Sequence, residues 1–141
     1  MKISARNQLK GTITNVAEGA VNGVVTIALG DTDIKADITM ESIEGLGLTE
    51  GKEAFAIIKA TNVMFATGAE RITNISARNQ MAGTITKVKK GAVNGHVSLK
   101  MADGNIISGS ITNDAIEDLG LAEGEAALAI VKATDVIVGV E

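Results

Sequence analysis

The sequence predicts an all-β protein made of two tandem five-stranded barrels, each with a short helix between its third and fourth strands. Three observations predict it. First, blocks of the first half return letter for letter in the second. Ser4-Ala5-Arg6-Asn7-Gln8 returns as Ser76-Ala77-Arg78-Asn79-Gln80, Gly19-Ala20-Val21-Asn22-Gly23 as Gly91-Ala92-Val93-Asn94-Gly95, and Lys59-Ala60-Thr61 as Lys132-Ala133-Thr134. Second, apolar and polar residues alternate with period two through most of each copy, the pattern of half-buried strands. Third, the alternation gives way once per copy to a short stretch with helical spacing. The first two blocks repeat at an offset of 72 residues and the third at 73, so the second copy carries one extra residue, placed most simply near Ser110. An internal repeat of this kind governs the reading of the rest of the chain.

Within the first copy, residues 11–16 alternate as a strand. Asn22-Gly23 then reads as a hairpin turn, because both residues tolerate positive φ, and residues 24–29 read as the returning strand. Gly30-Asp31-Thr32-Asp33 forms a second turn. Residues 33–39 alternate again, with Ile34, Ala36 and Ile38 on one side. Over residues 41–48 the period changes. Thr39 suits an N-cap, Glu41 and Glu44 suit a first turn, Ile43 and Leu46 share a face, and the glycines suit a C-terminus. Residues 54–60 form an apolar run that suits a buried strand, and residues 62–65 close the module. In the second copy the strands fall at residues 83–88, 96–101, 105–112, 126–133 and 135–138, with a helix around 114–119. Three strands, a helix and two strands follow the order of an OB-fold barrel. The chain therefore divides into a first module at residues 1–66, a linker at 67–74 and a second module at 75–141.

Composition narrows the function. A module of about 65 residues buries only about 60% of its chain surface and is marginal alone. With no cysteine there is no disulfide to staple it. A hydrophobic fraction of 45% supplies an apolar interface as well as a core, so self-association is expected. The net charge of −4 offers no general attraction for nucleic acid or an anionic membrane. Phe55 and Phe65 are the only aromatic residues. No apolar stretch approaches the roughly 20 residues of a membrane span. The start, Met1-Lys2-Ile3-Ser4-Ala5-Arg6, turns polar before a signal-peptide core could form. A cytoplasmic location is expected.

The repeated blocks carry a family resemblance. Ser-Ala-Arg-Asn-Gln at each module start, the Gly-Ala-Val-Asn turn, the segment Glu44-Gly45-Leu46-Gly47-Leu48-Thr49-Glu50-Gly51 and the Lys-Ala-Thr block resemble the molbindin (Mop) family of molybdate-binding domains. The resemblance covers both modules. It implies an OB-like fold, particles of six modules and hence a homotrimer of this two-module chain. It also implies molybdate, with tungstate as its analogue, bound between modules, and no catalytic cofactor. The protein is then a molybdate store or buffer, not an enzyme. No cation site is implied. His96, the only histidine, stands without a second histidine, a cysteine or a carboxylate cluster.

Molybdate is a tetrahedral dianion with acceptor oxygens only, so its site needs converging donors and no nearby carboxylate. Charged side chains, hydroxyls and backbone N–H groups serve. The resemblance assigns the main site to Ser4, Ala5, Arg6, Asn7, Lys59, Ala60 and Thr61, and to their counterparts Ser76, Ala77, Arg78, Asn79, Lys132, Ala133 and Thr134. It implies that the Ser-x-Arg and Lys-containing segments meet from different modules, so that the pocket exists only in the assembly. Residues 4–14 contain Arg6 and Lys10 and no acidic side chain, a window suited to an anion. The turns Gly19, Ala20, Val21, Asn22 and Gly91, Ala92, Val93, Asn94 are assigned a second class of site, on a threefold axis. Ala17-Glu18 becomes Lys89-Lys90 and Val24 becomes His96, whereas the Ser-x-Arg and Lys-Ala-Thr blocks are unchanged. Near-equivalent main sites and unequal turn sites are therefore expected.

Two other functions suit the same fold. A nucleic-acid-binding OB module needs a basic groove with aromatic platforms, which an acidic chain with two aromatics does not offer. A molybdate-sensing subunit would have to act through a partner, since neither a nucleotide-binding loop nor a helix-turn-helix pattern is present.

Overall fold

The computed structural model describes all 141 residues. In chain order the elements are β1 (Asn7–Ala17), β2 (Asn22–Leu29), β3 (Thr32–Thr39), α1 (Met40–Leu46), β4 (Glu53–Ile58), β5 (Met64–Thr67), β6 (Asn79–Lys90), β7 (Asn94–Met101), β8 (Ile106–Thr112), α2 (Asn113–Leu119), β9 (Ala126–Val131) and β10 (Ile137–Gly139). The strands make two five-stranded antiparallel sheets, each curled into a barrel. No helix is long and apolar enough to cross a membrane.

The helices form where the period changes. Thr39 caps α1 by accepting a hydrogen bond from the Ser42 N–H at 3.1 Å, and Gly47 ends it in the left-handed conformation at φ 63°. Thr112 and Gly120 do the same for α2. Ile43 and Ile116 are the buried helical residues. Leu46, expected on the buried face, is exposed, and Leu48 beyond the cap is buried instead.

Asn22-Gly23 is not the turn. Both residues lie inside β2, and neither has a positive φ. The glycine is needed for close packing. A Cβ on Gly23 would lie 2.7 Å from Ile43 Cδ1 and 2.9 Å from the Ala17 carbonyl oxygen. Gly95 stands in the same relation to Ile116 and Lys89.

The extra residue of the second copy lies between β7 and β8, not near Ser110. Leu29 pairs with Thr32 across a two-residue turn, whereas Met101 donates to the Asn105 carbonyl across three residues. A turn absorbs an insertion, while one inside a strand would move every later side chain to the opposite face. The corrected alignment makes Asp37 the counterpart of Ser110: Val24 pairs with Asp37, and His96 with Ser110.

The barrels exchange their last strands. The sheet orders are β10-β4-β1-β2-β3 and β5-β9-β6-β7-β8. Residues 62–65 thus do not close the first module as expected. After β4, a single 3-10 turn over Ala60–Asn62 carries no residue with positive φ and does not fold the chain back. The chain crosses instead, and β5 pairs with β9 while β10 pairs with β4. One apolar core of 27 buried residues runs through both barrels and includes Val63, Phe65, Val136 and Val138 of the exchanged segments.

Side-chain size fits each exchanged strand to its host. Phe65 of β5 packs on Gly109 of β8, where a Cβ would come within 2.5 Å of the ring. The equivalent positions in the first barrel hold Val138 and Ala36. The substitution G109A should destabilise the protein by about 1–3 kcal/mol through overpacking. Adding F65V, which recreates the first barrel's pair, should recover most of that loss in urea titrations. Equal stability of wild type and G109A would contradict this packing account.

Two buried amides stitch the barrels together. Asn7 Nδ2 donates to the Ser108 carbonyl at 2.8 Å, and its Oδ1 accepts from the Ser108 N–H at 2.8 Å. Asn79 makes the same reciprocal pair with the Lys35 backbone, both bonds at 2.8 Å. Each asparagine thus supplies, at the edge of the opposite barrel, the hydrogen bonds of a missing strand neighbour.

Candidate anion-binding site

Sheet register brings the two repeated blocks together. Asn7 pairs with Ile58 at the end of the β1–β4 ladder. Ser4-Ala5-Arg6 therefore leads into the same end of the sheet from which Lys59-Ala60-Thr61 departs. The Asn7–Ser108 clamp then draws in β8, and with it Ser110 and its cross-strand partner His96. The result is a cavity of about 340 Å³ lined by Ser4, Ala5, Arg6, Lys59, Ala60 and Thr61 from the first module, and by His96 and Ser110 from the second, with Ile3 and Ile137 at its apolar side. It contains a guanidinium, an ammonium, an imidazole and three hydroxyls, and no carboxylate.

This arrangement departs from expectation in four respects. The Ser-x-Arg and Lys-Ala-Thr segments of one cavity belong to the same module, and one chain brings them together. The Asn7 side chain is not free for a ligand. It is buried, and it is engaged by Ser108 and by the Ile58 carbonyl at 3.1 Å. The Asn79 side chain is likewise taken up by Lys35. Lys10 does not add to the positive window, because its ammonium meets Glu53 at 2.9 Å. That hydrogen bond and charge hold Lys10 above the usual lysine range.

The fourth departure is the inequality of the two copies. In the second, Asn79 pairs with Val131 and sets Arg78 beside Lys132 in the same way. The Asn79–Lys35 clamp, however, presents Val24 and Asp37 where the first site has His96 and Ser110. No cavity gathers Ser76, Ala77, Arg78, Lys132 and Ala133; Thr134 alone lines one, a separate groove with Ile38 and Leu46. An apolar side chain and a carboxylate thus replace two donors.

Sequence reasoning missed His96 and Ser110 as site residues. The signal for His96 was its replacement of Val24. An insertion placed near Ser110 leaves that residue without a clear counterpart in the first copy. Of the two turns, Gly91 and Asn94 line a second cavity on the face of β6 and β7, and no cavity includes Gly19–Asn22. Val21 and Val93 at the turn tips are 75% and 72% exposed.

Two exchanged barrels with a duplicated oxyanion-type block define a tandem molbindin, and the family match agrees. Residues 3–65 and 75–138 each match the TOBE domain, and the chain belongs to that family. Over its full length it is similar to ModG, a cytoplasmic molybdate-binding protein. The molybdate-bound structure of ModG superposes with a TM-score of 0.95 at 43% identity, covering 100% of both chains. It is also 40% identical to the molybdenum transport protein ModE of Azotobacter vinelandii, covering 99% of this chain and 52% of ModE. To the molybdenum-pterin-binding protein MopA of Rhodobacter capsulatus it is 41% identical, covering 97% of this chain and 52% of that one. The chain thus spans about half the length of these two relatives. These names denote binding and transport rather than catalysis.

Proposed function

We propose that this protein binds molybdate, and tungstate as its analogue, as a non-catalytic cytoplasmic store or buffer. The observation that carries the reading is the convergence of Ser4, Arg6, Lys59 and Thr61 with His96 and Ser110 in one cavity free of carboxylates. Charge-assisted hydrogen bonds from Arg6 and Lys59 hold the dianion, and the hydroxyls and backbone N–H groups complete its shell. The first-copy site is the stronger one, because Asp37 opposes an anion at the second.

The cavity has the volume of roughly eleven waters at about 30 Å³ each, more room than one tetrahedral oxyanion fills. A second copy of the chain closes it, in a homotrimer of six modules. The exposed apolar tips Val21 and Val93 support such an assembly. The turns Gly19–Asn22 and Gly91–Asn94 then surround the threefold axis, and the second, beside Lys89 and Lys90, is the more attractive to anions.

Native mass spectrometry of the intact protein with and without molybdate tests this reading. The expected spectrum is a trimer that gains saturable mass increments of molybdate at micromolar ligand. A monomer, or a trimer that gains none, would overturn the corresponding part.

A further inference from the structure

A polar cavity of the second barrel adjoins the proposed molybdate cavity. On the solvent face of the β6–β7 hairpin, Lys87 pairs with Ser98 and Lys89 with His96, so alternate residues of both strands point to one side. With Lys90 and the turn they line a cavity of about 540 Å³, and Arg6 reaches into it from the first module. No acidic and no apolar residue lines it, although the protein as a whole carries a net charge of −4.

This face belongs to the second barrel alone. Its counterparts in the first barrel are Asn15 for Lys87, Ala17 for Lys89, Glu18 for Lys90 and Val24 for His96. The positions between them, half-buried on one strand and buried on the other, remain aliphatic, Val16 and Val25 becoming Val88 and Val97. Divergence has therefore altered one solvent face and left the fold beneath it. Lys90 is neutralised by Glu117 at 3.0 Å, whereas Lys87, Lys89 and Arg6 have no acidic partner. Like charges held on neighbouring strands repel one another, and an anion spanning them removes that cost. A single tetrahedral dianion would meet only part of a cavity this size. A chain of linked phosphates carries several charges at intervals and offers acceptors along its length.

We propose that this cavity is an adjoining polyanion subsite that takes a condensed phosphate chain of about three units, free or as the triphosphate of a nucleotide. Because Arg6 and His96 line both cavities, occupancy here weakens molybdate binding next door.

Calorimetric titration of the full chain with inorganic tripolyphosphate, ATP and a single-stranded oligonucleotide tests the proposal. Tripolyphosphate should bind saturably. The variant K87N, which installs the first barrel's residue at an exposed position, should bind it about tenfold more weakly. The same variant should keep its molybdate affinity within twofold, since Lys87 lies outside the smaller cavity and is not one of the two lysines beside the turn, and an unchanged melting temperature would confirm its fold. ATP binding tenfold tighter than tripolyphosphate would identify a nucleotide as the source, and equal affinity would identify the phosphate chain itself. No saturable binding at millimolar tripolyphosphate, or equal binding by the variant, would overturn the proposal. So would a parallel loss of molybdate affinity, or an oligonucleotide that binds more tightly than either phosphate through Lys87.

Discussion

Replacing Arg6 with alanine is expected to weaken molybdate binding by about 10- to 100-fold. A hydrogen bond to a charged group contributes about 1.5–3 kcal/mol, and 1.4 kcal/mol is about a factor of ten in affinity. Arg6 is exposed and its side chain bonds to nothing else in the chain, so the loss reads out binding rather than folding. The contrast with Arg78 is more telling than the loss itself. Arg78 sits in an identical sequence block, but the strands opposite it present Val24 and Asp37. R78A should therefore change molybdate affinity by less than about threefold in calorimetry. Equal losses in the two variants would contradict the inequality of the sites, and no loss in R6A would show the site to be elsewhere.

Replacing Asn7 with alanine is expected to lower the melting temperature by roughly 10 °C. The Asn7 amide is buried and makes three hydrogen bonds, two of them to Ser108 of the other barrel. Its removal strands the half-buried Ser108 N–H and carbonyl at the edge of β8, and each orphan costs about 1–3 kcal/mol. The sum of about 2–6 kcal/mol brackets roughly that shift in a chain of this size. N79A should cost a similar amount, because Asn79 makes the same reciprocal pair with Lys35. Scanning calorimetry decides it, and a shift below about 3 °C in both variants would mean that the amides do not hold the barrels together. N7A should also weaken molybdate binding, since the Asn7 clamp brings Ser110 and His96 to the cavity.

Much of this could be read from the sequence, because it depends on local chemistry. Alternation located the strands, Thr39 marked the start of the first helix, and the repeated blocks led to the family. Strand exchange could not be read. In a tandem repeat both barrels offer the same backbone edge, so residues 62–65 could pair with β4 or β9 by the same pattern. Only the size match of Phe65 to Gly109 tells the two apart, and it requires knowing that the residues touch. Asn22-Gly23 misled for a related reason. The pair is a strong turn signal, but here the glycine answers to the approach of Ile43. The lining of the candidate cavity was half legible. The identical blocks gave Arg6 and Lys59, but identity also suggested equal copies. The difference between the copies comes from β2–β3 and β7–β8, which reach the blocks only through the asparagine clamps. Placing the insertion near Ser110 rather than between β7 and β8 hid the correspondence of Ser110 with Asp37.

The most direct test is a crystal grown with molybdate and measured at the molybdenum absorption edge. The anomalous map should show a peak between Arg6, Lys59 and Ser110, within hydrogen-bonding distance of the Arg6 and Lys59 side chains. Molybdenum bound only beside Arg78 and Lys132, with that cavity empty, would contradict the account.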